Sequence, residues 1–405
     1  MSIRFFTVLA NYLVKSMGKG FTTLLIAQFL SALADNALLF AAIALLQQMQ
    51  APEWHEPLLL QFFVISYILL APFVGSFADA LPKGRVMFIS NGIKFFGSLA
   101  MIFGMPPLYA YGIVGIGAAA YSPAKYGILT ELLPPEKLVS ANGWIEGSTV
   151  IAIILGAIIG GKMASISPHD AMIAIAVMYL VAAGFNMFIP KLPIDHAIAK
   201  KDPLYILSDF YRSFVALWRD PQGQVSLSVT TLFWGAGATL RLVVIAWAGI
   251  VLGFGLDHAT QLTATVALGV ALGSIVAARY ITLENSVKVL PAGIVMGVLV
   301  IAMAVVTEWH IAALLLFVIG VLSGFFVVPL NALLQHRGHL LIGAGHSIAV
   351  QNFNENLGIL LLSGAYTLMV KANLHINHIV VIFGLFVIIS MSLINRLYRR
   401  QIQAA

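Results

Sequence analysis

Six ionisable residues stand inside long apolar runs of this chain: Asp35, Lys94, Lys125, Glu146, Arg241 and Glu355. A charge near the middle of a membrane helix costs at least about 2.5–3.5 kcal/mol on insertion scales, so it persists only facing protein or water. Three cations and three anions balance, as buried charges must when each needs a partner. Asp35 is the clearest case. It lies in FTTLLIAQFLSALADNALLFAAIALL (21–46), where Gln28, Ser31 and Asp35 at i, i+3 and i+7 form one polar stripe on an apolar helix. Arg241 offers a planar fork of donors suited to phosphate, and Lys125 a point charge. Asp35 can hold an ammonium or another cation. Two roles follow for these three residues: contact with a charged substrate on a pathway, or an internal strut or gate in which Asp35 pairs with Lys125 or Arg241.

Glu355 sits in a run, Gln351 to Asn356, too polar for a lipid-facing helix. Gln351, Asn352, Glu355 and Asn356 share one face, which points to substrate binding or gating. Glu146, with Asn142 a turn before it, stands close to a helix end, where a structural and a functional role are equally open. Lys94 is long enough to snorkel to the cytoplasm and is expected to have no direct role.

The elements that must position these groups are membrane helices. With 405 residues, 60% hydrophobic and 9% charged, and a mean hydropathy of +0.96, the chain is not a soluble globular protein. Soluble proteins carry about 25% charged residues. Twelve apolar segments are expected, near 21–46, 57–80, 86–105, 108–131, 138–163, 170–190, 223–252, 259–282, 287–307, 309–335, 343–370 and 375–396. The one long polar connection, 191–222, divides them six and six. Tyr205, Leu207, Phe210, Phe214 and Trp218 predict an amphipathic helix on the membrane surface within it. Phe5, Phe6, Leu9, Tyr12 and Leu13 predict another, interfacial helix before the first span, and no cleavable signal precedes that span. The expected domains are an N-terminal six-helix bundle over 1–190, a cytoplasmic linker over 191–222 and a C-terminal six-helix bundle over 223–405. With both termini cytoplasmic, most of the 22 lysines and arginines fall inside, and Lys162 and Lys371 fall outside. The net charge of +6 therefore reflects topology and not nucleic-acid binding. No cysteine is present, so thiol chemistry is excluded.

The halves carry a faint repeat. Pro123 in GAAAYSPAKYGIL matches Pro329 in SGFFVVPLNALLQ, and Glu146 matches Glu355 at a nearly equal offset. The same offset carries Asp35 onto Arg241. Duplicated six-helix halves are a known transporter architecture, with the site near mid-membrane. The layout and GSFADALPKGR (75–85) resemble the major facilitator superfamily. Its signature loop between the second and third helices corresponds to Gly75, Asp79, Lys83, Gly84 and Arg85, with a longer gap between Asp79 and Gly84. Those residues read as a cytoplasmic gate or helix-end clamp. AQFLSALADNALLF (27–40), AAAYSPAKYGIL (118–129), SVTTLFWGAGATLR (228–241), GFFVVPLNALLQ (324–335) and AVQNFNENLGILLL (349–362) are similar to the bacterial lysophospholipid transporters of that superfamily.

The resemblance implies two pseudo-symmetric six-helix bundles in the bacterial inner membrane. It also implies a flippase that moves lysophosphatidylethanolamine and lysophosphatidylglycerol to the cytoplasmic side by alternating access. A cytoplasmic acyltransferase/acyl-carrier-protein synthetase would then re-acylate them. Such a substrate presents a phosphate and, in one form, an ammonium. The substrate-binding and gating candidates are Asp35, Lys125, Arg241, Glu355, Asn352, Gln28 and Glu146. Phe233, Trp234, Trp247, Phe325 and Phe326 either line a path for the acyl chain or simply pack. A proton-coupled exporter of amphipathic drugs, with Asp35 or Glu355 as proton site, is the alternative. A membrane-embedded acyltransferase is disfavoured, because it needs a spaced His and Asp pair and none of the ten histidines has an Asp four residues further along.

Other signals are discounted. GAIIGGK (156–162) has Met163 where a phosphate-binding loop needs Ser or Thr, and it ends a membrane helix. The pairs Gly156/Gly160, Gly293/Gly297 and Gly320/Gly324 read as close helix contacts. The groups His336, His339, His346 and His375, His378 lack a fourth ligand for a metal, and no cofactor is called for. Pro123 and Pro329 are expected to kink their helices.

Overall fold

The computed structural model describes residues 15–52, 55–193 and 202–404, and its regular elements are helical. The interfacial helix expected from Phe5 to Leu13 lies outside the described residues. Twelve long helices appear where the apolar segments predicted them: α1 (Lys19–Gln48), α2 (His55–Ala80), α3 (Lys83–Ile102), α4 (Pro107–Leu132), α5 (Leu138–Ile166) and α6 (Pro168–Asn186) precede the linker. The linker helix α7 (Pro203–Arg219) is followed by α8 (Pro221–Val251), α9 (Leu256–Tyr280), α10 (Leu290–Ala302), α11 (Trp309–Ile342), α12 (Ala344–Lys371) and α13 (Ile376–Ala404). Tight 3-10 turns, Leu283–Val289 and Met303–Val305, flank α10, so that helix is shorter than its apolar run. Helix starts follow local chemistry. Ser167, Asp202 and Asp220 each accept a backbone N–H of the next turn and each precedes a proline. Proline at the first helical position gives up no hydrogen bond there.

Nine of the described helices are long and apolar enough to cross a bilayer. Helices α3, α4 and α12, which carry Lys94, Lys125 and the polar run from Gln351, are not among them. Their polar residues are nevertheless inside protein: Lys94, Ser122, Gln351, Asn352, Asn354 and Glu355 are all buried. Large apolar residues face outward instead, among them Leu69, Phe96, Phe103 and Ile166. That inversion is what a lipid solvent requires.

The chain divides into two compact units. Unit 1 contains Met1–Lys137, Ile151–Val215 and Gly338–Asn352. Unit 2 contains Leu138–Val150, Ala216–Arg337 and Phe353–Ala405. In unit 1, α3 packs on α4, α2 on α4, and α6 on both α1 and α3. Its core joins Ala34, Leu38, Met101, Val114, Ile175 and Tyr179. In unit 2, α13 packs on α10 and α8, and α8 on α9.

Two of the small-residue pairs bring backbones together. A Cβ on Gly160 would stand 2.5 Å from the Ala37 Cα, and one on Gly156 2.7 Å from the Asn36 Cβ, so α5 crosses α1 in direct backbone contact. In unit 2, Gly320 and Gly324 of α11 meet the α9 backbone at Val266 and Val270. Pro123 lies inside α4 and Pro329 inside α11, and Pro72 lies likewise inside α2.

The linker helix differs from expectation. Its Phe210 packs on Val74, Ala119, Ala120 and Ala349 of unit 1, so part of its apolar face meets protein and not lipid. Leu204, Leu207 and Tyr211 remain exposed.

Candidate functional site

The polar stripe of α1 forms one wall of a small cavity in unit 1, of about 70 Å³. Gln28, Ser31 and Asp35 line it with Tyr67 of α2, Lys94 of α3 and Tyr121, Ser122 and Lys125 of α4. Three of the expected site residues, Gln28, Asp35 and Lys125, are thus brought together. Helical spacing placed the first two on one face. Packing of α4 against α2 and α3 supplies the third.

The partner of Asp35 is a correction to the sequence reading. Lys94 does not snorkel to the cytoplasm: it is 1% exposed, and its Nζ lies 2.7 Å from Asp35 Oδ2. The same ammonium donates to Ser31 Oγ at 3.0 Å and stands over the rings of Tyr121 and Tyr179. Tyr179 donates its hydroxyl to Asp35 Oδ1 at 2.8 Å, and Ser31 donates to Asn91 Oδ1 at 2.8 Å. Both Asp35 oxygens are therefore engaged within unit 1. Lys125 lies over the ring of Tyr126, 4.1 Å from its centroid. Nearby, Ser122 donates to Asn352 Oδ1 at 3.3 Å, joining Asn352 to α4.

The signature loop forms a second polar cluster, also in unit 1. Asp79 is buried and accepts the backbone N–H of Gly345 at 2.8 Å and of His346 at 3.0 Å. Those are first-turn amides of α12, so the carboxylate caps that helix and meets the positive end of its dipole. His346 Nδ1 lies 2.7 Å from Asp79 Oδ2, and Lys83 donates to Oδ1 at 2.6 Å. Lys83 also reaches the Ala78 carbonyl and Glu131 Oε1. On its far side, His346 Nε2 faces Ser76 Oγ at 3.2 Å and Asp209 Oδ2 of α7 at 3.1 Å. Gly75 lets α2 approach, since a Cβ there would meet the Ala349 Cβ at 2.9 Å. Gly84 makes similar room for the end of α6, where a Cβ would stand 2.9 Å from the Asn186 carbonyl. Arg85 is exposed and stands apart from the cluster. Sequence reasoning found Asp79 and Lys83 but missed His346 and Asp209, which join only through tertiary packing.

Unit 2 holds the remaining expected residues. Arg241 on α8 is exposed, and among the described residues its side chain has no ion-pair partner. Glu146 is buried one turn beyond Asn142, which exchanges two hydrogen bonds with Gln335, each of 2.8 Å. Glu355 is buried on α12. Phe233 packs edge-on against Trp234 and Phe326, and Phe326 and Trp247 are fully buried, so these aromatics pack within the unit. At the start of α8, Asp220 caps the helix and receives both Nε and Nη2 of Arg337.

The family profile described as Major Facilitator Superfamily matches residues 24–363. The lysophospholipid transporter LplT of Serratia proteamaculans is 49% identical over 357 residues, covering 88% of this chain and 89% of that protein. The protein of the same name from Yersinia enterocolitica is 48% identical, covering 88% of each. Among solved structures, the human organic anion transporter MFSD10 (TETRAN) superposes with a TM-score of 0.75 at 15% identity, covering 92% of this chain and 99% of that one. A bacterial homologue of the iron transporter ferroportin, in its outward-facing state, gives a TM-score of 0.74 at 18% identity, covering 94% and 100%. At such identities the structural likeness speaks for the fold alone.

Proposed function

The chain belongs to the major facilitator superfamily, and from that premise we propose that it moves lysophospholipids across the bacterial inner membrane by alternating access. The observation that carries this reading is the cavity of Gln28, Ser31, Asp35, Lys94 and Lys125 in a chain nearly half identical to proteins named as lysophospholipid transporters. A polar pocket buried among apolar helices suits a head group, and the exposed apolar faces of those helices suit an acyl chain. Lys125 and Arg241 are the phosphate donors in this reading, with Gln28 and Asn352 supplying neutral hydrogen bonds. Glu146 and Glu355 act in gating within unit 2. Asp79 with Lys83 holds α12 from the cytoplasmic end, with Gly75 and Gly84 giving the close approach and Arg85 facing water.

Lysophosphatidylethanolamine and lysophosphatidylglycerol are the proposed substrates, and movement is toward the cytoplasm. Both termini are cytoplasmic. The product is a substrate for re-acylation by a cytoplasmic acyltransferase/acyl-carrier-protein synthetase. The bundles over 1–190 and 223–405 are the rocking bodies, joined by 191–222. Uptake of labelled lysophosphatidylethanolamine into spheroplasts tests the reading, with intact protein, Asp35→Asn, Arg241→Ala and empty vector at matched expression. The intact protein is expected to move the lipid, and both variants to fall to the vector level. No movement by the intact protein defeats the substrate; normal movement by both variants defeats the site.

A further inference from the structure

The last helix, α13 (Ile376–Ala404), is longer than a bilayer core requires. At about 1.5 Å per residue, roughly 20 residues cross a hydrocarbon core of about 30 Å. Its final turns therefore stand at the depth of the lipid phosphates. One face of the helix is open along its length: Ile382, Phe386, Ile389, Leu393 and Leu397 are all exposed. The opposite face, with Val380, Phe383, Val387 and Met391, is buried. Arg396 and Arg400 are exposed and fall on the open stripe, interleaved with Leu393 and Leu397 at i, i+3, i+4 and i+7. Arg399 is exposed too, but helical spacing turns it about 100° from Arg400, to the flank of the stripe.

The surroundings leave this end basic. No acidic residue follows Glu355 in the sequence. A Cβ on Gly293 of α10 would meet Met391, and one on Gly297 would meet Ile388, so the 3-10 turn before α10 lies toward the arginine end. Its exposed Glu284 and Lys288 offset each other. Gln401 donates to Gln224 at 2.8 Å, which pins the last turns of α13 near the start of α8. There Asp220 is taken by Arg337, and Arg219 is exposed. Among the described residues, Arg396, Arg399 and Arg400 form no ion pair. Cations near a helix C-terminus suit its dipole whichever way they point. That preference does not call for two of them on the lipid-facing stripe, between leucines.

We infer that Arg396 and Arg400, with Leu393 and Leu397, form a docking site for a diacyl phospholipid of net negative charge, in the cytoplasmic leaflet on the orientation proposed above. The guanidinium forks meet the phosphodiester, and the leucines lie along the first carbons of the acyl chains. A zwitterionic phospholipid brings an ammonium toward the same arginines and is held less well. The site belongs to unit 2 and does not depend on which substrate the chain moves.

The test uses the full chain, purified in a mild detergent and titrated with phosphatidylglycerol or phosphatidylethanolamine, with bound lipid counted by native mass spectrometry. The intact protein is expected to hold phosphatidylglycerol at least about tenfold more tightly. A cation near an anionic lipid surface contributes about fivefold, so Arg396→Gln with Arg400→Gln is expected to weaken phosphatidylglycerol about 25-fold. Arg399→Gln with Lys288→Gln removes as much charge from beside the stripe and is expected to cost less than about threefold. Equal losses in the two double variants mean a diffuse basic surface and overturn the site. Unchanged binding by the first pair places the lipid elsewhere and overturns it too, as does equal binding of the two lipids by the intact protein. These positions are exposed, so an unchanged size-exclusion profile is expected. If the Gln pair lowers folded yield, Arg396→Lys with Arg400→Lys decides, because it keeps both charges and loses the forks. A loss of about fivefold in that variant supports the site, and no loss overturns it.

Discussion

Replacing Asp79 by Asn isolates the charge at the start of α12 while keeping the side chain's shape. The carboxylate accepts four donors: two amides of α12, the His346 ring and Lys83. Asparagine keeps one acceptor oxygen for Gly345 and turns an NH2 group toward groups that also donate. Loss of a helix cap costs typically about 1 kcal/mol. Stripping a buried cation of its partner costs about 3–5 kcal/mol. Lys83 keeps the Ala78 carbonyl at 2.8 Å and Glu131 at 3.2 Å, so the lower end applies. The sum is about 4 kcal/mol, a large share of a typical total of about 5–15 kcal/mol. In a domain of a couple of hundred residues, each kcal/mol moves the melting temperature by about 2–4 °C. Thermal unfolding of the purified protein in detergent is therefore expected to shift down by roughly 8–16 °C. Adding Lys83→Met removes the stranded cation and should recover about half of the loss. A shift below about 2 °C would refute the argument, because it would mean that the α12 amides and Lys83 find equal partners without the carboxylate.

Gly160→Leu drives a side chain into the Ala37 backbone, where a Cβ alone stands 2.5 Å from Cα. It is expected to cost at least about 1–3 kcal/mol or to abolish folded yield, read by size-exclusion chromatography, whereas Gly161→Ala, with open space around it, should be silent. The Asp220 carboxyl is pushed up by burial, but the Arg337 guanidinium and the Gly223 N–H outweigh that and hold it below the ordinary carboxylate range. A carboxyl depressed on folding stabilises above its unfolded value of about 3.9, and that contribution is lost as pH falls through the lower folded value. The melting-temperature gap between intact protein and Asp220→Asn should thus be constant from neutral pH to about pH 5 and close below about pH 4. A gap that instead opens with falling pH would contradict the pairing.

Much of the fold was legible because its signals are local. A run of apolar residues needs no neighbour to declare itself a span, and proline after Ser167, Asp202 or Asp220 declares a helix start by chemistry within three residues. The Gln28, Ser31, Asp35 stripe was equally legible, since helical spacing alone puts its members on one face. The partner of Asp35 was not. Lys94 lies 59 residues away, and nothing in its own neighbourhood separates a lysine that snorkels from one enclosed by Gly117, Tyr121 and Tyr179. His346 was misjudged for the same reason. As a member of a loose histidine group it signalled nothing, and its role arises from Asp79, 267 residues earlier, and from Asp209 on the linker helix. The linker helix was legible as amphipathic. Which partner its apolar face takes was not, because lipid and the alanine-rich surface at Ala119 and Ala120 satisfy Phe210 alike.

Lys94 and Arg241 show how two similar cations in apolar helices carry opposite meanings. Lys94 is enclosed and compensated, so its charge is spent on Asp35 and creates no demand for a ligand. Arg241 is exposed on α8 with no ion-pair partner among the described residues, and it stands in a helix whose neighbouring residues include buried Leu240, Val243 and Val244. Against hydrocarbon, such a charge costs about 2.5–3.5 kcal/mol or more. That cost vanishes only where water or an anion meets the guanidinium. A fork of donors left open in this way favours a planar or multidentate oxyanion over a point anion. Replacing Arg241 by Lys keeps the charge but loses the fork, so the two effects separate. If the phosphate of the lipid is what meets this residue, Arg241→Lys should retain folding and membrane insertion yet lose about tenfold or more in apparent affinity for both lysolipids, about 1.4 kcal/mol. Equal affinities in the two proteins would leave water, not phosphate, as the group that meets Arg241.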